Sequence, residues 1–185
     1  MTRIKGLAIT LIGLIWVLQS CTYSLTLNGA SIPADMKTIR VDFFENTAPL
    51  VVNSLSQQFT EALKDRIRNT TRLSIVRAEG ADAVISGTIT DFTIAPVSVQ
   101  ATSNNVAPIA DQSRLTITVN VKYIKYLHDK DNKLTTDQDK KLSFEQSFSK
   151  FKDFKGDEGS QEQALIADIN KQLTEDIFNK AFADW

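Results

Sequence analysis

Cysteine and histidine are nearly missing from this 185-residue chain, which holds one of each, Cys21 and His128. One cysteine excludes an internal disulfide framework. One histidine, flanked by Asp129, Lys130 and Asp131, has no companions at the spacing of a zinc site or a Ser-His-Asp relay. There is no Gly-rich phosphate loop, no G-x-S-x-G elbow and no H-E-x-x-H pair. The Asp/Lys run at 129–141 lacks the alternating oxygen ligands and the turn glycine of a calcium loop. Glu175 and Asp176 are adjacent on a predicted helix and point in different directions. These absences predict a protein that is not an enzyme, with no metal and no cofactor. Only 7 glycines and 4 prolines occur, none gathered into a linker. No excess of basic charge is present either. The net charge is −1, and leaving out Arg3 and Lys5 makes it −3, with 19 basic against 22 acidic residues, so nucleic acid is not an expected partner. Long hydrophobic runs are missing too: the stretch at 6–17 is too short for a settled membrane-spanning helix, which needs about twenty residues.

What that stretch does is set by its neighbours. Arg3 and Lys5 precede it, and Leu18-Gln19-Ser20-Cys21 follows, the order of a secretory signal ending in a lipid-attachment cysteine. Residues 1–20 are therefore expected to be cleaved, leaving residues 21–185 as a single domain carrying S-diacylglyceryl and N-acyl lipid on Cys21. Several acyl chains on one residue give durable membrane attachment, where a single chain gives only marginal binding. A plain secretory signal with a coincident cysteine is the alternative, favoured by Gln19, which is bulky for its place. Thr22 is not the Asp that marks inner-membrane retention, and the expected location is the periplasmic face of the outer membrane. The 165 residues after the signal suit one domain with a substantial core.

Along that domain, Ile39, Val41 and Phe43 alternate with Thr38, Arg40 and Asp42 and predict a strand over 37–44. Asn46 or Thr47 is expected to cap a helix over 50–69, with Pro49 in its first turn. Val52, Leu55, Phe59, Ala62, Leu63 and Ile67 form its apolar face, while Gln57, Glu61, Lys64, Asp65 and Arg68 meet water. A short strand over 73–77 precedes a β-rich tract over 83–100, in which Gly87 and Pro96 predict a bulge or an edge position. The strand over 114–127 has the clearest pattern, Leu115, Ile117, Val119, Val121 and Tyr123 alternating with Thr116, Thr118, Asn120 and Lys122. Residues 100–113 and 128–141 are expected to be polar loops. Residues 142–148 alternate again, although Phe144, Phe148 and Phe151 also fit helical spacing, and together with Phe154 they are expected in the core. Ser160 and Gln163 form a capping box for a last helix over 161–183, whose stripe is Ile166, Ile169, Leu173 and Ile177, extended by Phe178, Phe182 and Trp185. The fold class that follows is α+β, a two-layer sandwich with two long helices on one face of a mostly antiparallel sheet of about four strands.

The order of several segments resembles the LptE family, the outer-membrane lipoproteins of lipopolysaccharide assembly, in its non-enteric branch. The segments are Gly29-Ala30-Ser31-Ile32-Pro33, Asn46-Thr47-Ala48-Pro49-Leu50-Val51, the stretch from Leu55 to Leu63, Pro96-Val97-Ser98-Val99-Gln100, the stretch from Arg114 to Val119, Phe144-Glu145-Gln146-Ser147-Phe148 and the stretch from Glu175 to Ala181. The resemblance implies a plug within the LptD-like outer-membrane β-barrel, one to one, aiding barrel assembly and delivery of lipopolysaccharide to the outer leaflet. On this reading Thr93, Gln100, Thr116 and Asn120 are candidate barrel contacts, and Arg114, Lys122 and Lys125 are candidate contacts to lipopolysaccharide phosphates. Strand alternation puts Lys122 and Lys125 on opposite faces. The alternative is a periplasmic accessory lipoprotein of an ABC-type lipid transport system.

Overall fold

The computed structural model describes residues 32–33, 35–50, 52–100, 109–128, 134–136 and 143–182, and the side chains of these except at 98–100, 109–111, 127–128 and 134–136. The signal segment, Cys21, the Gln100 side chain, Trp185 and most of the 128–141 tract lie outside the described residues. Among the described residues nine elements follow one another: β1 (Thr38–Val41), β2 (Glu45–Asn46), α1 (Leu55–Thr70), β3 (Ser74–Ile75), β4 (Ala83–Gln100), β5 (Ile109–His128), β6 (Leu134–Thr136), β7 (Phe144–Phe154) and α2 (Glu158–Phe182).

The centre of the sheet is the long β4–β5 hairpin, antiparallel from Ala83 opposite Lys125 to Gln100 opposite Ile109. On one side of β5 lie β7, antiparallel over Phe144–Phe154, and beyond it β6, opposite Tyr126 to His128. On the outer side of β4 lie β1 and then β2, both parallel to it, and β1 is parallel to β3 as well. Seven strand segments in a mixed sheet therefore replace the expected four or so mostly antiparallel ones. The parallel part follows from α1, which carries the chain from β1 to a strand at its side by a crossover.

Strand alternation and the helix stripes meet in one core. Leu115, Ile117, Val119, Val121 and Tyr123 of β5 are all buried, as are Leu55, Phe59, Leu63 and Ile67 of α1 and Ile166, Ile169, Leu173 and Ile177 of α2. Spacing of four residues in α1, and of three and four in α2, aligns these side chains on one face of each helix. Gln58 of α1 reaches Gln163 of α2 at 2.9 Å, and farther along Arg66 reaches Glu175 at 3.3 Å, so the two helices run parallel.

The helix starts differ from the capping signals. Helix α1 begins at Leu55 after Ser54, and Asn46 instead accepts the Ala48 N–H in an Asx turn, with Pro49 left in the connecting loop. At α2 the side chain of Asp157 accepts the Ser160 N–H at 3.0 Å, so Asp157 and not Ser160 is the cap. Gly156, at φ 83°, supplies the left-handed turn before it, a conformation that costs glycine nothing. Gly87 is neither bulged nor at an edge. It pairs in register with Val121, and a β-carbon there would lie 2.6 Å from the Phe44 ring and closer still to the Asn120 carbonyl. The register breaks fall instead between Ile89 and Asp91 and around Ser98, beside Pro96. Past Asn46 opposite Ile89, no described strand pairs with the outer edge of β4, and Pro96 sits on that edge, where its missing N–H is harmless.

Two polar groups pin the mixed half of the sheet. The Asp82 carboxylate accepts the Lys37 and Thr38 N–H groups at 2.8 Å each and the Thr38 hydroxyl at 2.9 Å, tying the start of β1 to the start of β4. The Thr60 hydroxyl of α1 accepts the Phe44 N–H at 3.1 Å and donates to the Ser56 carbonyl at 2.7 Å, while the Phe44 ring meets Phe59 edge-on at 5.0 Å.

Candidate interaction face of the sheet

The face of β4, β5 and β7 turned away from the helices is covered by no other described element. Its rows follow from the register: Ala95, Arg114 and Asp153; Thr93, Thr116 and Phe151; Asp91, Thr118 and Ser149; Thr88, Asn120 and Ser147; Ser86, Lys122 and Glu145. Except for Ala95 and Phe151 these side chains are polar, and all are half-buried or exposed. The bulge between Ile89 and Asp91 moves the outward parity of β4 from even to odd positions, which is how Thr88 and Thr93 share one face. Hydroxyls bond along and across the strands: Thr118 to Ser149 at 3.0 Å, Thr90 to the Thr118 carbonyl at 3.3 Å, and Thr93 to Asp91 at 2.6 Å.

One end of the face carries an aromatic and charged platform. Arg114 donates Nε and one terminal nitrogen to the two carboxylate oxygens of Asp153, at 2.6 and 3.0 Å. Its guanidinium lies 3.8 Å from the centre of the Phe151 ring, which is 51% exposed. A planar guanidinium held by a forked carboxylate over a ring is rigid, and the ring quadrupole adds attraction. The hydrogen bond from Arg114, and secondarily its charge, holds the Asp153 carboxyl below the usual carboxylate range. Phe144, Phe148 and Phe154 face the core side as expected, whereas Phe151 lies at an odd position of β7 and turns outward, contrary to the core assignment.

Thr93, Thr116 and Asn120 all fall on this face, and Gln100 lies farther along β4. The three candidate cations do not converge. Arg114 and Lys122 share the face but stand eight residues apart along β5, about 27 Å in an extended strand. Lys122 lies 4.0 Å from Glu145, both well exposed, a pair of little strength. Lys125 is on the core side and only 6% exposed. Sequence reasoning missed Asp153 and Phe151 as partners of Arg114, because only the β5–β7 register brings them together.

A second concave region runs between the helices, lined among others by Gln58, Ala62, Asp65, Arg66, Asn170 and Thr174. Among the described residues no three His, Cys, Asp or Glu side chains gather in a way that could hold a metal ion, and no helix is long and apolar enough to cross a membrane.

Residues 36–181 match the family model described as LptE, lipopolysaccharide-assembly. No curated protein matches the chain. Among solved structures, the hypothetical protein CT253 from Chlamydia trachomatis superposes with a TM-score of 0.52 at 8% identity, covering 80% of this chain and 99% of that one. Protein XCC0632 from Xanthomonas campestris gives 0.51 at 11% identity, covering 80% and 87%. Rare lipoprotein B from Shewanella oneidensis gives 0.46 at 11% identity, covering 77% and 92%. At such identities the likeness to the first two is one of fold.

Proposed function

We propose, from the premise that this chain belongs to the LptE family of lipopolysaccharide assembly, that it is a non-enzymatic lipoprotein subunit of the outer-membrane lipopolysaccharide translocon. On this reading the signal is removed after Ser20, and lipid on Cys21 holds the domain on the periplasmic face of the outer membrane. The domain then occupies the lumen of an LptD-like barrel, one to one, and helps that barrel to assemble and to pass lipopolysaccharide to the outer leaflet.

The observation that carries the plug reading is the open face of β4, β5 and β7. A large outer-membrane barrel has a polar lumen, so a protein within it needs a surface that replaces water by neutral hydrogen bonds and has few unpaired charges to desolvate. The central rows, built mainly from Thr88, Thr93, Thr116, Thr118, Asn120, Ser147 and Ser149, have that chemistry; their one carboxylate, Asp91, accepts the Thr93 hydroxyl, and the cations at the two ends are matched by Asp153 and Glu145. Of the three candidate lipopolysaccharide contacts, Lys122 has the exposure to meet a phosphate, Arg114 is committed to Asp153, and Lys125 is largely covered.

Depletion tests this directly. Cells losing the protein are expected to accumulate unassembled barrel and to show less lipopolysaccharide at the surface. Normal barrel assembly and normal surface lipopolysaccharide after depletion would contradict the proposal.

A further inference from the structure

We propose that the cleft between the start of β1, the end of α1 and β3 receives the anionic phosphodiester headgroup of a membrane phospholipid, seating the domain against the leaflet that holds its anchor. The inference rests on the acylation of Cys21 proposed above. Ile32, Met36, Lys37, Arg72, Leu73 and Ser74 line the cleft. Met36 and Leu73 are buried and give it an apolar floor, while Lys37, Arg72 and Ser74 are exposed at its rim.

Pairing of the backbone fixes this arrangement. Thr38 stands opposite Ser74, whose N–H donates to the Lys37 carbonyl at 2.9 Å. Arg72 follows directly on Thr71, whose N–H and hydroxyl both close the last turn of α1 on the Ile67 carbonyl. Neither Lys37 nor Arg72 has an ion-pair partner among the described residues, whereas Arg40, Arg66, Arg68 and Arg114 each have one. Asp82 approaches the same end of β1, but its carboxylate is engaged by the Lys37 and Thr38 N–H groups and the Thr38 hydroxyl.

Two cations without an ion-pair partner among the described residues and a hydroxyl above an apolar floor match a phosphodiester and the glycerol and first methylenes behind it. A polar floor would suit a free phosphate instead. The place in the chain points the same way. Ile32 is eleven residues after Cys21, so the cleft lies within about 40 Å of the anchor even for a fully extended chain. Tethering raises the effective concentration of headgroups, so a contact that is weak alone is occupied. Each basic residue close to an anionic surface strengthens attachment by about fivefold.

The test uses the mature acylated chain in nanodiscs, with acetylation of individual lysines followed by mass spectrometry. Relative to Lys171 on the helix side, Lys37 is expected to react at least about fivefold more slowly in discs containing phosphatidylglycerol than in neutral phosphatidylcholine discs. Arg72→Gln, which leaves Lys37 as the reporter, is expected to lose most of that protection, and so is the wild-type chain in high salt. Equal Lys37 rates in the two kinds of disc would overturn the proposal. So would equal protection by inorganic phosphate in neutral discs, which makes the cleft a free-phosphate site, or protection by lipopolysaccharide and not by phosphatidylglycerol. A chain that fails to co-migrate even with neutral discs overturns the anchor reading, and this proposal with it.

Discussion

At Gly87 a single hydrogen atom decides whether the sheet closes. The position is regular in register, and a β-carbon would press on the Phe44 ring and on the carbonyl of the facing strand. Gly87→Ala is therefore expected to cost at least about 2 kcal/mol, by overpacking and with no gain elsewhere, measured by urea unfolding of the domain. Unchanged stability would mean that Phe44 moves aside freely. The sequence shows a glycine inside a strand and leaves open why it is there. Bulge and edge are the readings it offers, and only the ring of Phe44, brought across from another segment, shows that the reason is close approach. Phe151 is similar: the spacing of Phe144, Phe148 and Phe151 suits a single helical face, but as a strand the segment divides by parity and turns the Phe151 ring outward. The pair beside that ring gives a titration prediction. Because the hydrogen bond from Arg114 lowers the Asp153 pKa in the folded chain, the pair contributes at pH values above the ordinary carboxylate pKa. That contribution is lost as pH falls through the lowered Asp153 value. Carboxyl NMR is expected to show Asp153 titrating below the usual value near 3.9, and Arg114→Gln should move it back up, with no effect of the pair's titration near neutral pH. An Asp153 midpoint indifferent to Arg114→Gln would mean that the pair is not formed in solution.

The helices were more legible as elements than at their ends. The apolar stripes of α1 and α2 sit where the three-and-four spacing puts them, with Leu63 and Ile169 fully buried. Changing either to Ala is expected to cost about 2–5 kcal/mol. Lys64, on the wet side and paired with Glu61 at 2.8 Å, should lose no more than about 0.5 kcal/mol when changed to Ala. Urea unfolding of the three variants checks this, and Lys64→Ala as the worst of them would refute the helix phases. The starts were misplaced because capping is a local signal with competitors. Asn46 satisfies a turn instead, and Asp157 reaches the first turn of α2 before Ser160 can. The strand pattern of β5 was plain because its alternation is uninterrupted over five buried residues. The parallel pairing of β1 with β3 and β4 was not, since two- and four-residue strands carry too little periodicity. What specifies them is nonlocal: the Asp82 carboxylate, 44 residues from Thr38, and the Thr60 hydroxyl beneath Phe44.

For the molecule as a whole, the family was legible in the order of its segments, and the match over residues 36–181 agrees with it. The face proposed to meet the barrel was legible only as a set of polar residues. Thr93, Thr116 and Asn120 come to lie on one surface through the bulge in β4 and the β4–β5 register, and neither is written in composition. The proposed anchor is a whole-molecule matter too, since it would decide which membrane the face can meet. Cys21→Ala is expected to leave an unprocessed or misrouted precursor without radioactive fatty acid, whereas equal incorporation in wild type and variant would rule the anchor out.

Enclosure of the domain by a barrel is tested most directly by photocrosslinking in living cells, with crosslinkable residues at Thr93, Gln100, Thr116 and Asn120. A barrel contact made of many neutral hydrogen bonds predicts adducts from these positions to one large outer-membrane protein. Adducts confined to inner-membrane or soluble partners, with surface lipopolysaccharide normal after depletion, would contradict the plug and favour an accessory lipoprotein of a lipid exporter.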